Sequence, residues 1–209
     1  VLSVSILFVL LGRVNILDMG LSFFLTLAAL ALSVLLSRGE TKKDYFWAGW
    51  VFWAALGFGF LSKGLIAILL PGLAGVIFIL WRREWAVFLR VRWVSGIALL
   101  LLITAPWVIL VSLRNPEFPH FFFIHEHLER FLTTTHHREG PIWYFLPFVV
   151  LGLFPWNLFL LRLKKPDSKM FFFLVWSISI FVFFSISSSK IITYILPIFP
   201  TLAILIAQA

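Results

Sequence analysis

The sequence predicts an all-α, polytopic membrane protein: a bundle of transmembrane helices, with one further helix lying at the membrane surface in an outer loop. Three observations predict it. The chain of 209 residues is 62% hydrophobic and 12% charged, with a mean hydropathy of +1.05, whereas soluble domains carry about twice that share of charge. Its apolar residues gather in long runs, near the ~20 residues that a helix needs to cross a ~30 Å hydrocarbon core. The charges lie between those runs and are sorted unequally between alternate loops.

In chain order the runs are 1–11, which is short, then 19–36, 45–62, 65–81, 94–113, 142–161, 170–187 and 191–208. They read as one partial and seven complete spans. None alternates polar and apolar residues at period two, so helices suit them better than barrel strands. The 25 Phe and 10 Trp fit lipid-facing surfaces and headgroup belts. With no cysteine, disulfides, zinc–thiolate sites and thiol catalysis are excluded. No internal repeat and no signal peptide is visible. The expected organisation is a single transmembrane domain over 1–209, an internal portion of a longer protein. Its N-terminal spans, first outer loop and any C-terminal soluble domain are expected to lie outside the chain.

Charge placement orients the bundle. If every run crosses, the loops 37–44, 82–93 and 162–169 share one side and hold 11 of the 17 basic residues. By the positive-inside rule that side is cytoplasmic, which explains the net charge of +8 without nucleic acid. The outer side receives 12–18, 63–64, 114–141 and 187–190. All five histidines lie there, with five of the nine acids: Asp18, Glu117, Glu126, Glu129 and Glu139.

The residues able to carry chemistry follow from that sorting. Asp18 opens a span; it is either a helix cap or a carboxylate that binds a metal, a sugar hydroxyl or a cation. Lys63 occupies a turn too short to be solvated, and either snorkels to the interface or supplies a point charge for a phosphate. Residues 118–132 fit a surface helix, with Phe121, Ile124, Leu128 and Phe131 on one stripe and His125 and Glu129 on another. His125-Glu-His127 is not the helical zinc pattern, although one histidine with a carboxylate from elsewhere can hold a divalent ion. His136, His137 and Arg138 are either solvated or bind a phosphate or sugar. Lys190 lies at another tight outer turn and Tyr194 four residues on, on one face if the segment is α-helical. Pro197 and Pro200 are expected to kink that last helix. Cations converging at headgroup depth with Lys63 and Arg130 point to an anionic ligand such as a lipid phosphate.

Several stretches occur here in one order: Asn15-Ile-Leu-Asp-Met, Leu61-Ser-Lys-Gly-Leu, Ala105-Pro-Trp, Phe121-Phe-Phe-Ile-His-Glu-His-Leu-Glu-Arg-Phe, His136-His-Arg-Glu-Gly-Pro-Ile-Trp-Tyr and Ser189-Lys-Ile-Ile-Thr-Tyr-Ile-Leu-Pro. Together, and over essentially the whole chain, they resemble the GT-C glycosyltransferases: the bacterial aminoarabinose transferases and their protein-mannosyltransferase relatives. The resemblance implies a GT-C-like helical bundle and an inverting enzyme of the bacterial inner membrane. That enzyme takes a sugar from a polyprenyl-phosphate donor, undecaprenyl phosphate in bacteria. It passes the sugar to a lipid A, glycan or protein acceptor on the periplasmic side. It further implies that Lys63, Arg130, Lys190 and Tyr194 hold the donor phosphate and that Asp18 is a supporting acid. His125 is implied as a ligand of a divalent ion (Zn, Mg or Mn). The family's base is an Asp of the first outer loop, expected upstream of Val1. The rival expectation is a transporter or flippase for an anionic lipid-linked substrate, which would carry charge at mid-membrane depth. A structural subunit, in which the cations cluster by accident, is the third.

Overall fold

The computed structural model describes residues 1–14, 16–37, 39–122, 140–162 and 167–208, and among these it is helical with no strand. The helices are α1 (Ile6–Gly12), α2 (Leu17–Leu36), α3 (Lys42–Lys63), α4 (Ile66–Arg82), α5 (Val87–Arg90), α6 (Trp93–Arg114), α7 (Phe118–His120), α8 (Phe145–Gly152), α9 (Ser168–Ile186) and α10 (Phe199–Ala207). A 3-10 segment, Ile192–Ile198, leads directly into α10. Four helices, α2, α3, α6 and α9, are long and apolar enough to cross a bilayer; α4 and the Ile192–Ala207 unit are shorter apolar helices. The chain is therefore a multi-pass membrane protein.

The central pair is α2 with α3. On α2, Leu21, Leu25, Ala28, Leu32 and Leu35 recur at three- and four-residue spacing and are all buried, the single stripe by which a helix packs on its neighbours. Ala28, Ala29 and Ala31 are small enough to let α3 come close. The opposite face exposes Phe23 and Leu30, apolar surface suited to lipid. α6 packs on α3 and buries only Gly96 and Thr104. α9 packs on α4 and α10, and the 3-10 segment is wedged between α2 and α9. Hydroxyls inside the spans bond the carbonyl three or four residues back, as Thr26 does to Ser22, Ser33 to Leu30 and Thr104 to Leu100. Such back-bonding satisfies a polar group where water is absent.

Two runs depart from simple spans. The run 142–161 is broken: α8 stops at Gly152, and a 3-10 segment resumes at Trp156. Pro155 explains the break, because proline disfavours helix in the residue before it and cannot donate to the preceding turn. Gly152 is also pressed against Leu7 and Phe199, where an added Cβ would approach within 2.7–2.9 Å. The last run is not one α-helix: Pro197 lies in the 3-10 segment and Pro200 in the first turn of α10.

The two ends of the bundle are chemically distinct. At one end Thr41 and Asp44 form a reciprocal cap at the start of α3. Arg90 donates to the Leu35 and Ser37 carbonyls at 3.0 and 2.7 Å and stacks on Tyr45, whose hydroxyl also bonds Ser37 O. Lys169 pairs with Glu40 at 2.6 Å. Apart from Leu35 and Tyr45, which end and begin the flanking spans, these residues belong to the loops expected to be cytoplasmic. The other end gathers Asp18, Lys63, Thr193 and Lys190. Every described charge within α2, α3, α4, α6 and α9 lies in a first or last turn.

Candidate phosphate-binding corner

Asp18 lies in the first turn of α2, but the helix has no side-chain cap: its N-cap is Ile16, in extended conformation. The carboxylate is turned to other elements instead. Its Oδ1 accepts from Lys63 Nζ at the end of α3, and its Oδ2 accepts from Thr193 Oγ1 in the 3-10 segment. The pair is largely shielded, with side-chain exposures of 26% for Lys63 and 14% for Asp18. Asp18 thus keeps its place in the first turn, where an acid faces the positive end of the helix dipole, while its carboxylate oxygens are taken by side chains of two other elements. Lys63 likewise turns inward to a partner rather than outward to water.

The turn that presents Lys63 requires glycine. Gly64 has φ +75° and ψ −149°, a region that side-chain-bearing residues avoid. Its N–H closes the last turn of α3 on Phe60 O at 2.7 Å. With α4 starting at Ile66, Lys63 is held at a fixed height above the bundle.

Tyr194 supplies the second contact to Lys63. The ammonium sits 4.3 Å from the centroid of its ring, a cation–π distance. The ring is buried and packs on Phe184 at 5.2 Å.

Lys190 is 9% exposed, and its Nζ donates to Ser187 O at 2.7 Å. Among the described residues no carboxylate pairs with it. Gly140 lies across its stem: a Cβ there would stand 3.2 Å from Lys190 Cδ and 3.1 Å from Tyr144 Cδ2. The α-helical relation expected between Lys190 and Tyr194 does not hold. Ile191 is extended and helix begins only at Ile192, as a 3-10 turn, so Lys190 precedes the helix and the four-residue rule has no purchase. The residue that joins Asp18 is Thr193, which neither charge nor spacing singles out in the sequence. It stands in the Ser189-Lys-Ile-Ile-Thr-Tyr stretch beside Tyr194, but 175 positions separate it from Asp18.

Beside the pair runs an open groove lined by Arg13, Leu17, Gly20 and Ser62, among others. Arg130 and His125, with most of the surface helix expected over 118–132, lie outside the described residues; within them that segment is helical at Phe118–His120. The described residues do not fit a metal centre. Both oxygens of Asp18 are taken by donors, and among the described residues no three His, Cys, Asp or Glu side chains come together.

Fold and corner together define a polytopic helical membrane protein that concentrates cations, a tyrosine and a carboxylate at one end of its spans. The chain belongs to the dolichyl-phosphate-mannose-protein mannosyltransferase family, whose profile matches residues 1–110. It is 41% identical, over 98% of its length, to undecaprenyl phosphate-alpha-4-amino-4-deoxy-L-arabinose arabinosyl transferase 1 of Proteus mirabilis, of which it spans 38%. It is 34% identical, over 95% of its length, to the corresponding transferase of Aeromonas salmonicida, of which it spans 37%. Crystal structures of ArnT from Cupriavidus metallidurans superpose with TM-scores of 0.89 for the form bound to undecaprenyl phosphate and 0.84 for the apo form, at 37% identity. They cover 96% and 95% of this chain and 37% and 36% of their own. The GT-C-like helical bundle expected from the motifs is therefore the fold of this chain. The chain spans little more than a third of the length of the relatives it matches.

Proposed function

We propose that this chain forms part of an inverting glycosyltransferase that takes a sugar from a polyprenyl-phosphate donor, with a lipid A, glycan or protein acceptor. The observation that carries the reading is Lys190, a cation nine-tenths buried at the end of the spans, whose partner among the described residues is one carbonyl. A buried cation without a counter-ion is costly, and a ligand phosphate would complete it. The relatives' names and the undecaprenyl phosphate in the ArnT structure support the same ligand.

In this reading Lys63, Arg130, Lys190 and Tyr194 hold the phosphate, which becomes the leaving group as the acceptor attacks the anomeric carbon. Fixed cations are the proper device, because negative charge grows on the phosphate oxygens in the transition state. Asp18 supports the site by fixing Lys63 and orienting the sugar. By resemblance His125 is a ligand of a divalent ion, and with Asp18 it would organise the sugar or that ion; no step is routed through a metal. The bundle end carrying Lys190 faces the periplasm and the Arg90 end the cytoplasm, in a bacterial inner membrane; the excess of basic residues at the Arg90 end supports this. A transporter is disfavoured because the described charges of the spans lie at helix ends rather than at mid-membrane depth.

The test is to measure polyprenyl-phosphate binding and sugar transfer in the full-length protein carrying Lys190→Ala or Arg130→Ala. Each variant is expected to bind the lipid phosphate about tenfold to a hundredfold more weakly, as for loss of a charge-assisted bond, while inserting normally into the membrane. Wild-type binding by both variants would exclude the phosphate role.

A further inference from the structure

We propose that Thr193 is a positioning residue for Asp18, linking the acid to the segment that carries Lys190 and Tyr194. The inference rests on the reading of Asp18 and the phosphate corner given above, and adds to it the group that fixes the carboxylate.

A carboxylate held by one partner keeps a soft torsion about its last bond. Asp18 is held on both oxygens, by donors from different elements: Lys63 from α3 on Oδ1 and Thr193 from the 3-10 segment on Oδ2. Two anchors from two elements fix the carboxylate plane, which neither does alone. The local backbone makes Thr193 suited to this. Ile191 is extended and the 3-10 winding begins at Ile192, so successive side chains diverge by about a third of a turn. Thr193 and Tyr194 can therefore reach the two members of one ion pair: the hydroxyl goes to Asp18, and the ring lies under Lys63. Threonine is β-branched, which limits its first torsion to few rotamers, and the bond to Asp18 selects among them. Lys190 is three residues before Thr193, within about 11 Å along the chain. A phosphate bound at Lys190 and Tyr194 would thus report through one short, rigid turn on the orientation of Asp18.

Two substitutions separate positioning from packing. Thr193→Val keeps the shape and removes the donor, whereas Thr193→Ser keeps the donor and removes a methyl group. In the full-length protein with a polyprenyl-phosphate-linked sugar donor, Thr193→Val is expected to lower kcat about tenfold to a hundredfold. The KM for the donor should be unchanged, and Thr193→Ser should restore turnover. Asp18→Asn serves as the control and is expected to be the slower variant. Wild-type kcat in Thr193→Val, beside an impaired Asp18→Asn, would overturn the role of Thr193 and leave that of Asp18 standing. Equal losses in Val and Ser variants with lowered thermal midpoints in both would show packing alone, and would also overturn it. Full turnover by Asp18→Asn would instead remove the reading of Asp18 on which the inference rests.

Discussion

Replacing Lys63 by methionine removes the ammonium from the Asp18 carboxylate while keeping most of the apolar stem. Three consequences set the size of the effect. The ion pair is lost, and with side-chain exposures of 26% and 14% its value falls between the ~0.2–1 kcal/mol of exposed pairs and the ~3–5 kcal/mol of breaking buried ones. The contact over the Tyr194 ring at 4.3 Å is lost, worth about 0.5–2 kcal/mol. Asp18 keeps Thr193 as a donor, so its carboxylate is left half-satisfied rather than bare. The expected destabilisation is about 2 kcal/mol. The assay is a double-mutant cycle of Lys63→Met and Asp18→Asn, read by denaturation in mixed detergent micelles. The expected coupling is about 1–2 kcal/mol. Additivity within about 0.5 kcal/mol, the scatter of independent sites, would refute the claim that these charges act as a pair.

Gly96→Ala places a Cβ within 1.9 Å of Trp53 Nε1, which donates to Val91 O at 2.7 Å. Overpacking and strain on that bond should cost about 1–3 kcal/mol, measured as a lowered thermal midpoint and partly recovered by adding Trp53→Phe. Arg90→Ala removes the one nitrogen, Nη1, that donates to both carbonyls at the α2 carboxyl end and is expected to cost about 2 kcal/mol; Arg90→Lys should recover only part, because an ammonium lacks the planar face that stacks on Tyr45. Glu40→Gln breaks the Lys169 pair, whose side chains are 27% and 44% exposed, and should change stability by less than about 1 kcal/mol in the same assay. A loss above that would mean the pair is part of a larger network at this end of the bundle.

Much of the fold is legible in the chain itself. Hydropathy marks the long helices because a bilayer forces apolar runs of fixed length, and α2, α3, α6 and α9 match four of the expected spans. The run 142–161 is not one helix, since hydropathy is blind to the break that Pro155 makes after Gly152. The prolines of the last run stand where 3-10 winding gives way to α-helix, a local effect on backbone hydrogen bonding that the sequence makes visible. The expected face shared by Lys190 and Tyr194 fails for a related reason: spacing rules presume an α-helix, and the backbone there is extended and then 3-10.

By itself the sequence determined what composition and short-range order encode: the membrane class, the placement of the long spans, the separation of chemically different ends, and the family through its ordered motifs. It could not show which side chains meet. The tertiary structure decided that Asp18 turns from its own helix to Lys63 and Thr193, and that Lys190 is buried beneath Gly140. Those contacts join residues up to 175 positions apart. They exist only because the packing of α2, α3, α9 and the 3-10 segment brings the helix ends to one corner.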